Sequence, residues 1–286
     1  MSICKAGMKV ELDKLLSAWE NDQRLIQFKN EEGLSPFFVA CEGGSLEIVK
    51  TLANLNANID HPTNKGITPL FIACQNGHKE IVSFLLAQKA QVNSRGLEGE
   101  SPLFIACQED RKEIVSMLIQ HQADLNLPME DGTSPLIVAT QENHKEVVEL
   151  LLKAQANVNQ PQNDGLSPLT VAIHENYTGV AEILLSYQAN IHQPAKDGSS
   201  PLFFACLRNF KESVELLLRS NANPNQLRSD GLSPLIAACQ SANKQIVELL
   251  VNYGANVNPR GGVSPLFIAQ ELGSPDLVQF LLKCEA

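Results

Sequence analysis

At 286 residues the chain exceeds the usual size of a single hydrophobic core, so it must divide into domains or repeat a unit. With 44% hydrophobic and 19% charged residues it reads as globular rather than disordered. A formal net charge of -10 repels phosphate backbones and anionic lipid, which argues against nucleic acid and membrane surfaces and favours a protein partner with a basic patch.

The opening stretch, MSICKAGMKVELDKLLSAW, is amphipathic and lacks the apolar core of a signal peptide. No apolar run approaches the roughly 18 residues that a membrane span needs, so a soluble, cytoplasmic chain is expected. From residue 33 onward a glycine acts as a ruler. Gly33, Gly66, Gly99, Gly132, Gly165, Gly198 and Gly231 fall 33 residues apart, and Gly262 follows after 31. Such a period marks a repeat architecture.

Each glycine opens the same phrase, as in GITPLFIACQNGHKEIVSFLLAQKAQVN from Gly66 and GTSPLIVATQENHKEVVELLLKAQANVN from Gly132. The Ser or Thr two residues on (Ser35, Thr68, Ser101, Ser134, Ser167, Ser200, Ser233, Ser264) suits a helix N-cap. Proline follows every time, at the first helical position where its missing N–H costs nothing. This short first helix is expected to stop at Gly44, Gly77, Asp110, Asn143, Asn176, Asn209 and Gly273, residues that tolerate the left-handed conformation. Ala242 breaks that pattern. A second helix, such as KEIVSFLL, places apolar residues at i, i+1, i+4 and i+5 on one face. An extended segment then reaches an Asp-Gly pair (Asp131-Gly132, Asp164-Gly165, Asp197-Gly198, Asp230-Gly231), a strong β-hairpin signal.

A helix-turn-helix-hairpin unit of this length cannot bury its apolar stripe alone, so it must stack on its neighbours. The pattern resembles the ankyrin repeat: the family phrase T-P-L-H-x-A stands here as Thr68-Pro69-Leu70-Phe71-Ile72-Ala73, and G-A-D-V-N as Gly254-Ala255-Asn256-Val257-Asn258. The resemblance implies an all-α repeat solenoid of helix-turn-helix units with β-hairpins. About eight repeats are expected in one array over residues 33–286. Residues 1–32 are read as a capping half-repeat in which Leu12, Leu15, Leu16 and Trp19 cover the first full repeat.

Two departures stand out. The family histidine is replaced by Phe38, Phe71, Phe104, Ile137, Thr170, Phe203, Ile236 and Phe267, so packing must substitute for its hydrogen bonds. The family glycine after the second helix survives only as Gly254; elsewhere it is Asn56, Lys89, Gln122, Gln155, Gln188 and Asn221.

Chemistry-bearing residues follow the scaffold. Cys41, Cys74, Cys107, Cys206 and Cys239 share one repeat position, and copies on stacked helices lie about 8–10 Å apart, beyond disulfide reach. They read as small buried residues, with Cys4 and Cys284 as exposed thiols near the termini. The histidines lack metal-ligand spacing, no nucleotide-binding or nucleophile motif occurs, and the repeated serines are caps. No enzyme activity, metal or cofactor is expected. Asn176-Tyr177-Thr178 spells a glycosylation sequon, read as coincidence in a chain not expected to be exported.

A partner should sit on the concave face formed by hairpin tips and first helices, as the resemblance implies. Comparing the repeats with one another narrows the choice. The tip residue is apolar at Leu34, Ile67, Leu166, Leu232 and Val263, forming either an exposed row or packing against the next tip. At the first-helix ends most residues are acidic or amide, but repeats five and six carry His174, Tyr177, Leu207, Arg208 and Phe210. These are interface anchors or gap-filling drift. The last repeat keeps an interior pattern at Leu277, Val278, Phe280, Leu281 and Leu282, which predicts weak self-association there or cover by further sequence. The expected function is a protein-binding scaffold or inhibitor, the alternative a substrate-targeting or regulatory subunit of an enzyme complex, alone or within a longer chain.

Overall fold

A computed structural model describes residues 26–259 and 263–285, the last of them by its backbone alone. The residues assigned to the N-terminal cap (Leu12, Leu15, Leu16, Trp19), Cys4 and Gly262 lie outside the described residues. The chain divides into two compact units, Met1–Glu130 and Asp131–Ala286.

The first unit holds α1 (Pro36–Glu42), α2 (Leu46–Asn54), α3 (Pro69–Asn76), α4 (Lys79–Ala87), α5 (Pro102–Gln108) and α6 (Lys112–Gln120). The second holds α7 (Pro135–Gln141), α8 (Lys145–Lys153), α9 (Pro168–His174), α10 (Thr178–Ser186) and α11 (Pro201–Leu207). It continues through α12 (Lys211–Arg219), α13 (Pro234–Gln240), α14 (Lys244–Asn252), α15 (Pro265–Glu271) and α16 (Pro275–Glu285). Each short first helix packs against the second helix that follows it, and within a unit against the next first helix.

Local chemistry starts and stops the helices. The hydroxyl of Ser35, Thr68, Ser101, Ser134, Ser167, Ser200 and Ser233 accepts the N–H three residues on, at 3.1–3.3 Å. Proline stands at the helix start each time. At the far end Asp110, Asn143, Asn176 and Asn209 adopt positive φ, and so does Ala242 at 52°. The positions lacking the family glycine do the same: Lys89, Gln122, Gln155 and Gln188 have φ of 61–70°. The turn geometry is thus kept at about 1–2 kcal/mol of strain per residue.

The core lies between stacked helix pairs. Leu70, Leu103, Leu136, Leu169, Leu202 and Leu235 are buried on the first helices, and Val82, Val115, Val148 and Val247 on the second. Phe38, Phe71, Phe104 and Phe203 are buried where the family histidine would stand. Packing does replace its hydrogen bonds there. Two positions differ: the Thr170 hydroxyl lies 2.9 Å from that of Ser167, and Phe267 is exposed.

The β-hairpins expected at the Asp-Gly pairs are not formed: no strand occurs among the described residues. The fingers at Gly33, Gly66, Gly99, Gly165, Gly198 and Gly231 are tight turns, each closed by two backbone bonds. In one, Gly165 N–H donates to Gln162 at 2.9 Å and Gln162 N–H to Leu166 at 2.9 Å. A ladder cannot continue, because the next residues are an N-cap and a proline without an N–H. Successive fingers are stitched by single bonds, such as Asn163 N–H to Asp131 and Lys196 N–H to Asp164, both 2.9 Å. Gly165 has φ 89°, and a Cβ there would meet the Lys196 nitrogen at 2.7 Å. Glycine is required by both conformation and space.

Candidate functional site

In α7, α9, α11 and α13 the first helices bury nearly everything except their last residues. Pro168 to Ile173 of α9 are buried, His174 is half-buried and Glu175 is exposed. In α11, Phe203, Ala205 and Cys206 are buried, Phe204 is half-buried, and Leu207 and Arg208 are exposed. Leu207 is 42% exposed, an unusual state for a leucine whose neighbours form a core.

Hydrogen bonds tie the two helix ends together. A guanidinium nitrogen of Arg208 lies 2.8 Å from His174 Nε2, and His174 Nδ1 lies 2.9 Å from a carboxylate oxygen of Glu175. Arginine has donors only, so Nε2 must accept and the imidazole is neutral with its proton on Nδ1. The Phe204 ring meets the His174 ring edge-on, with centroids 6.1 Å apart. Three residues singled out by their deviation, His174, Leu207 and Arg208, thus stand together with Glu175 and Phe204.

Tyr177 and Phe210 occupy a different place, immediately before α10 and α12. Both are half-buried. In the first unit this position reaches back to the preceding first-helix end: His78 Nε2 is 2.9 Å from the Glu42 carbonyl, and Arg111 donates to the Gln75 carbonyl at 3.0 Å. Before α10 and α12 the Tyr177 and Phe210 rings stand where those hydrogen-bonding side chains stand.

The tip residues Leu34, Ile67, Leu166 and Leu232 are half-buried, while Val263 is exposed. The backbone of each half-buried tip is fixed by an earlier side chain of its own turn, as in Leu166 N–H to Asp164 Oδ1 at 3.0 Å and Leu232 N–H to Asp230 Oδ1 at 3.2 Å. The Asp-Gly aspartates therefore build Asx turns. Arg228 lies over the Phe203 ring at 4.8 Å and pairs with Asp230. The Arg228 hydrogen bond holds the Asp230 carboxyl well below the usual carboxylate range, at about 2.

A profile of the family described as ankyrin repeats (3 copies) matches residues 1–96, 88–162, 155–228 and 202–286. The chain belongs to the ankyrin-repeat family. No curated protein matches the sequence. Ankyrin repeats are in general protein–protein interaction modules and typically lack enzyme activity.

Two exposed tips of the ankyrin array, Leu97 (66%) and Leu227 (56%), were not singled out from the sequence. The same comparison among repeats contains the signal: Leu97 replaces Asn64, Glu130, Asn163, Lys196 and Ser229, and Leu227 replaces Pro128, Pro161 and Pro194. The shared cysteines are buried, and desolvation pushes the thiols of Cys41 and Cys239 up to about 12 and those of Cys74, Cys107 and Cys206 up as well. Such thiols are poor nucleophiles and poor metal ligands. Among the described residues no group of three His, Cys, Asp or Glu could hold a metal ion, and no helix is long and apolar enough to cross a membrane.

Proposed function

We propose that this ankyrin-repeat chain is a cytoplasmic scaffold or inhibitor that acts by occupying the surface of a partner protein. The binding surface runs over the first-helix ends of the second unit, with Leu207 and Arg208 at its centre and His174, Tyr177 and Phe210 beside them. The tips Leu166 and Leu232 flank it, and Leu34 and Ile67 offer the equivalent edge in the first unit. The observation that carries the reading is an exposed leucine and arginine at a position that holds amide or acidic groups in most other repeats. Aromatic and arginine side chains dominate the energetics of protein interfaces, which supports the assignment.

Exposed Glu142 and Glu175 favour basic groups on the partner, so association slows as salt rises. The partner is to be captured from the native host, identified by mass spectrometry and titrated against variants. Leu207→Ala and Arg208→Ala should each cost about 2 kcal/mol of binding, roughly 30-fold, while Gln240→Ala and Ser241→Ala stay near wild type. Wild-type affinity in both central variants, with loss in Leu166→Ala or Leu232→Ala, moves the site to the finger edge.

A further inference from the structure

The residues that follow each first helix in the second unit form a sequence of unlike charges. Glu142, Glu175, Arg208, Ser241 and Leu272 hold equivalent positions after α7, α9, α11, α13 and α15. Ser241 is half-buried and the other four are exposed. The row therefore reads negative, negative, positive, neutral, apolar.

Arg208 is unlike the other described arginines. Arg95 donates to the Pro128 carbonyl at 2.7 Å, and Arg111 to the Gln75 carbonyl at 3.0 Å. Arg219 lies 3.8 Å from Glu215, and Arg228 pairs with Asp230. Arg208 rests on the neutral ring of His174 instead, with neither a carboxylate nor a carbonyl as partner among the described residues. One of its five N–H donors is used, and the contact orients the planar fork without neutralising it. Glu175 is spent on the same neutral ring, so its negative charge is not cancelled either. The two opposite charges are held apart by the imidazole between them.

An oriented, uncompensated guanidinium beside an exposed leucine is suited to a carboxylate that sits next to an apolar side chain. We infer that the surface reads an extended partner segment carrying an Asp or Glu with an apolar neighbour for Arg208 and Leu207, and basic residues for Glu175 and Glu142. This rests on the binding surface proposed above and adds its register. Neighbouring helices stand about 10 Å apart, and an extended chain of the polyproline II type advances about 3.1 Å per residue with about three residues per turn, so each charge in the partner falls about three residues from the next, on one face of the segment. The pattern is basic, two residues, basic, two residues, acidic, in either chain direction.

A phage-displayed library of random peptides, selected on the full-length protein, tests this directly. Peptides selected on the wild type should be enriched for an acidic residue three positions from a basic one, with an apolar residue adjacent to the acid. Selection on Arg208→Glu should exchange the acid for Lys or Arg, and selection on Glu175→Lys should remove the nearest base. Individual wild-type peptides should lose about tenfold or more in affinity for either variant. Circular dichroism of both variants checks that the exposed substitutions leave the helices intact. Peptides that lose affinity for Leu207→Ala but show no acidic preference tracking residue 208 overturn the register and leave the surface standing. Peptides indifferent to all three substitutions overturn the surface as well. A library yielding no wild-type binder overturns recognition of an extended segment.

Discussion

Phe203 and Phe267 occupy the same place in two copies of one unit, yet the first is 1% exposed and the second 55%. Leu218 and Leu282 form a second such pair, at 2% and 49%. The helices around them are alike: both open with proline, and α11 and α15 are seven residues each. What differs is the neighbour. α11 lies between α9 and α13, whereas α15 packs on α13 with no described helix beyond it. The cap differs too: Ser200 accepts the Phe203 N–H at 3.1 Å, but Ser264 makes no side-chain cap bond. Burial in this chain belongs to the stack and not to the unit.

Thiol chemistry should show the sharpest contrast between the interior and the last helix pair. Burial pushes Cys239 up to about 12, which leaves its thiolate on the order of a thousandfold scarcer than that of a free cysteine at neutral pH. Half-buried Cys284 in α16 should take up a bulky thiol reagent in the native state while Cys206 and Cys239 stay unlabelled. Mass spectrometry of the labelled peptides checks this, and labelling of Cys239 at the rate of Cys284 breaks the comparison.

Phe203→Ala should cost about 3–5 kcal/mol, because it empties a filled site, whereas Phe267→Ala should cost under about 1 kcal/mol. Urea unfolding of both variants measures the pair. A large loss at Phe267 that depends on protein concentration would mean that a second copy covers the last face in solution, the self-association expected from its interior-like sequence.

Backbone strain offers a contrast of opposite sign. Ala242 ends its helix at φ 52°, where Gly273 ends the last first helix at φ 62°. Ala242→Gly should stabilise by about 1 kcal/mol and Gly273→Ala destabilise by a similar amount. Thermal melts that move the same way for both would contradict this account. The smallest contrast lies in the caps: Ser200→Ala should lose about 1 kcal/mol, and Ser264→Ala close to nothing.

The legible part of the fold is the part specified by neighbours in the chain. Thr68-Pro69 and Ser200-Pro201 start helices wherever they stand, because the cap bond spans three residues. Asn176 and Asn209 stop them for an equally local reason. The candidate surface was legible by the same internal comparison, since His174, Leu207 and Arg208 depart from a pattern that the other repeats keep. That comparison also contained Leu97 and Leu227, whose exposure depends on how far a finger projects and is invisible in composition.

By itself the sequence determined the period, the helix boundaries, the turn residues and the apolar stripe of each unit, all of which follow from propensities and from one repeated pattern. Only the tertiary structure decided that the fingers are turns without strands, because that depends on how soon each arm enters the next helix. It also decided that the last asparagines of the ANVN and ANPN segments bridge repeats: Asn159 Oδ1 accepts Asn190 N–H at 2.7 Å, and Asn225 Oδ1 accepts Asn256 N–H at 2.8 Å. The Arg208–His174 contact is of the same kind, joining residues 34 apart in the chain. Bonds across that separation exist only once two copies are stacked, since the geometry that brings donor to acceptor is set by packing between units and by nothing within one.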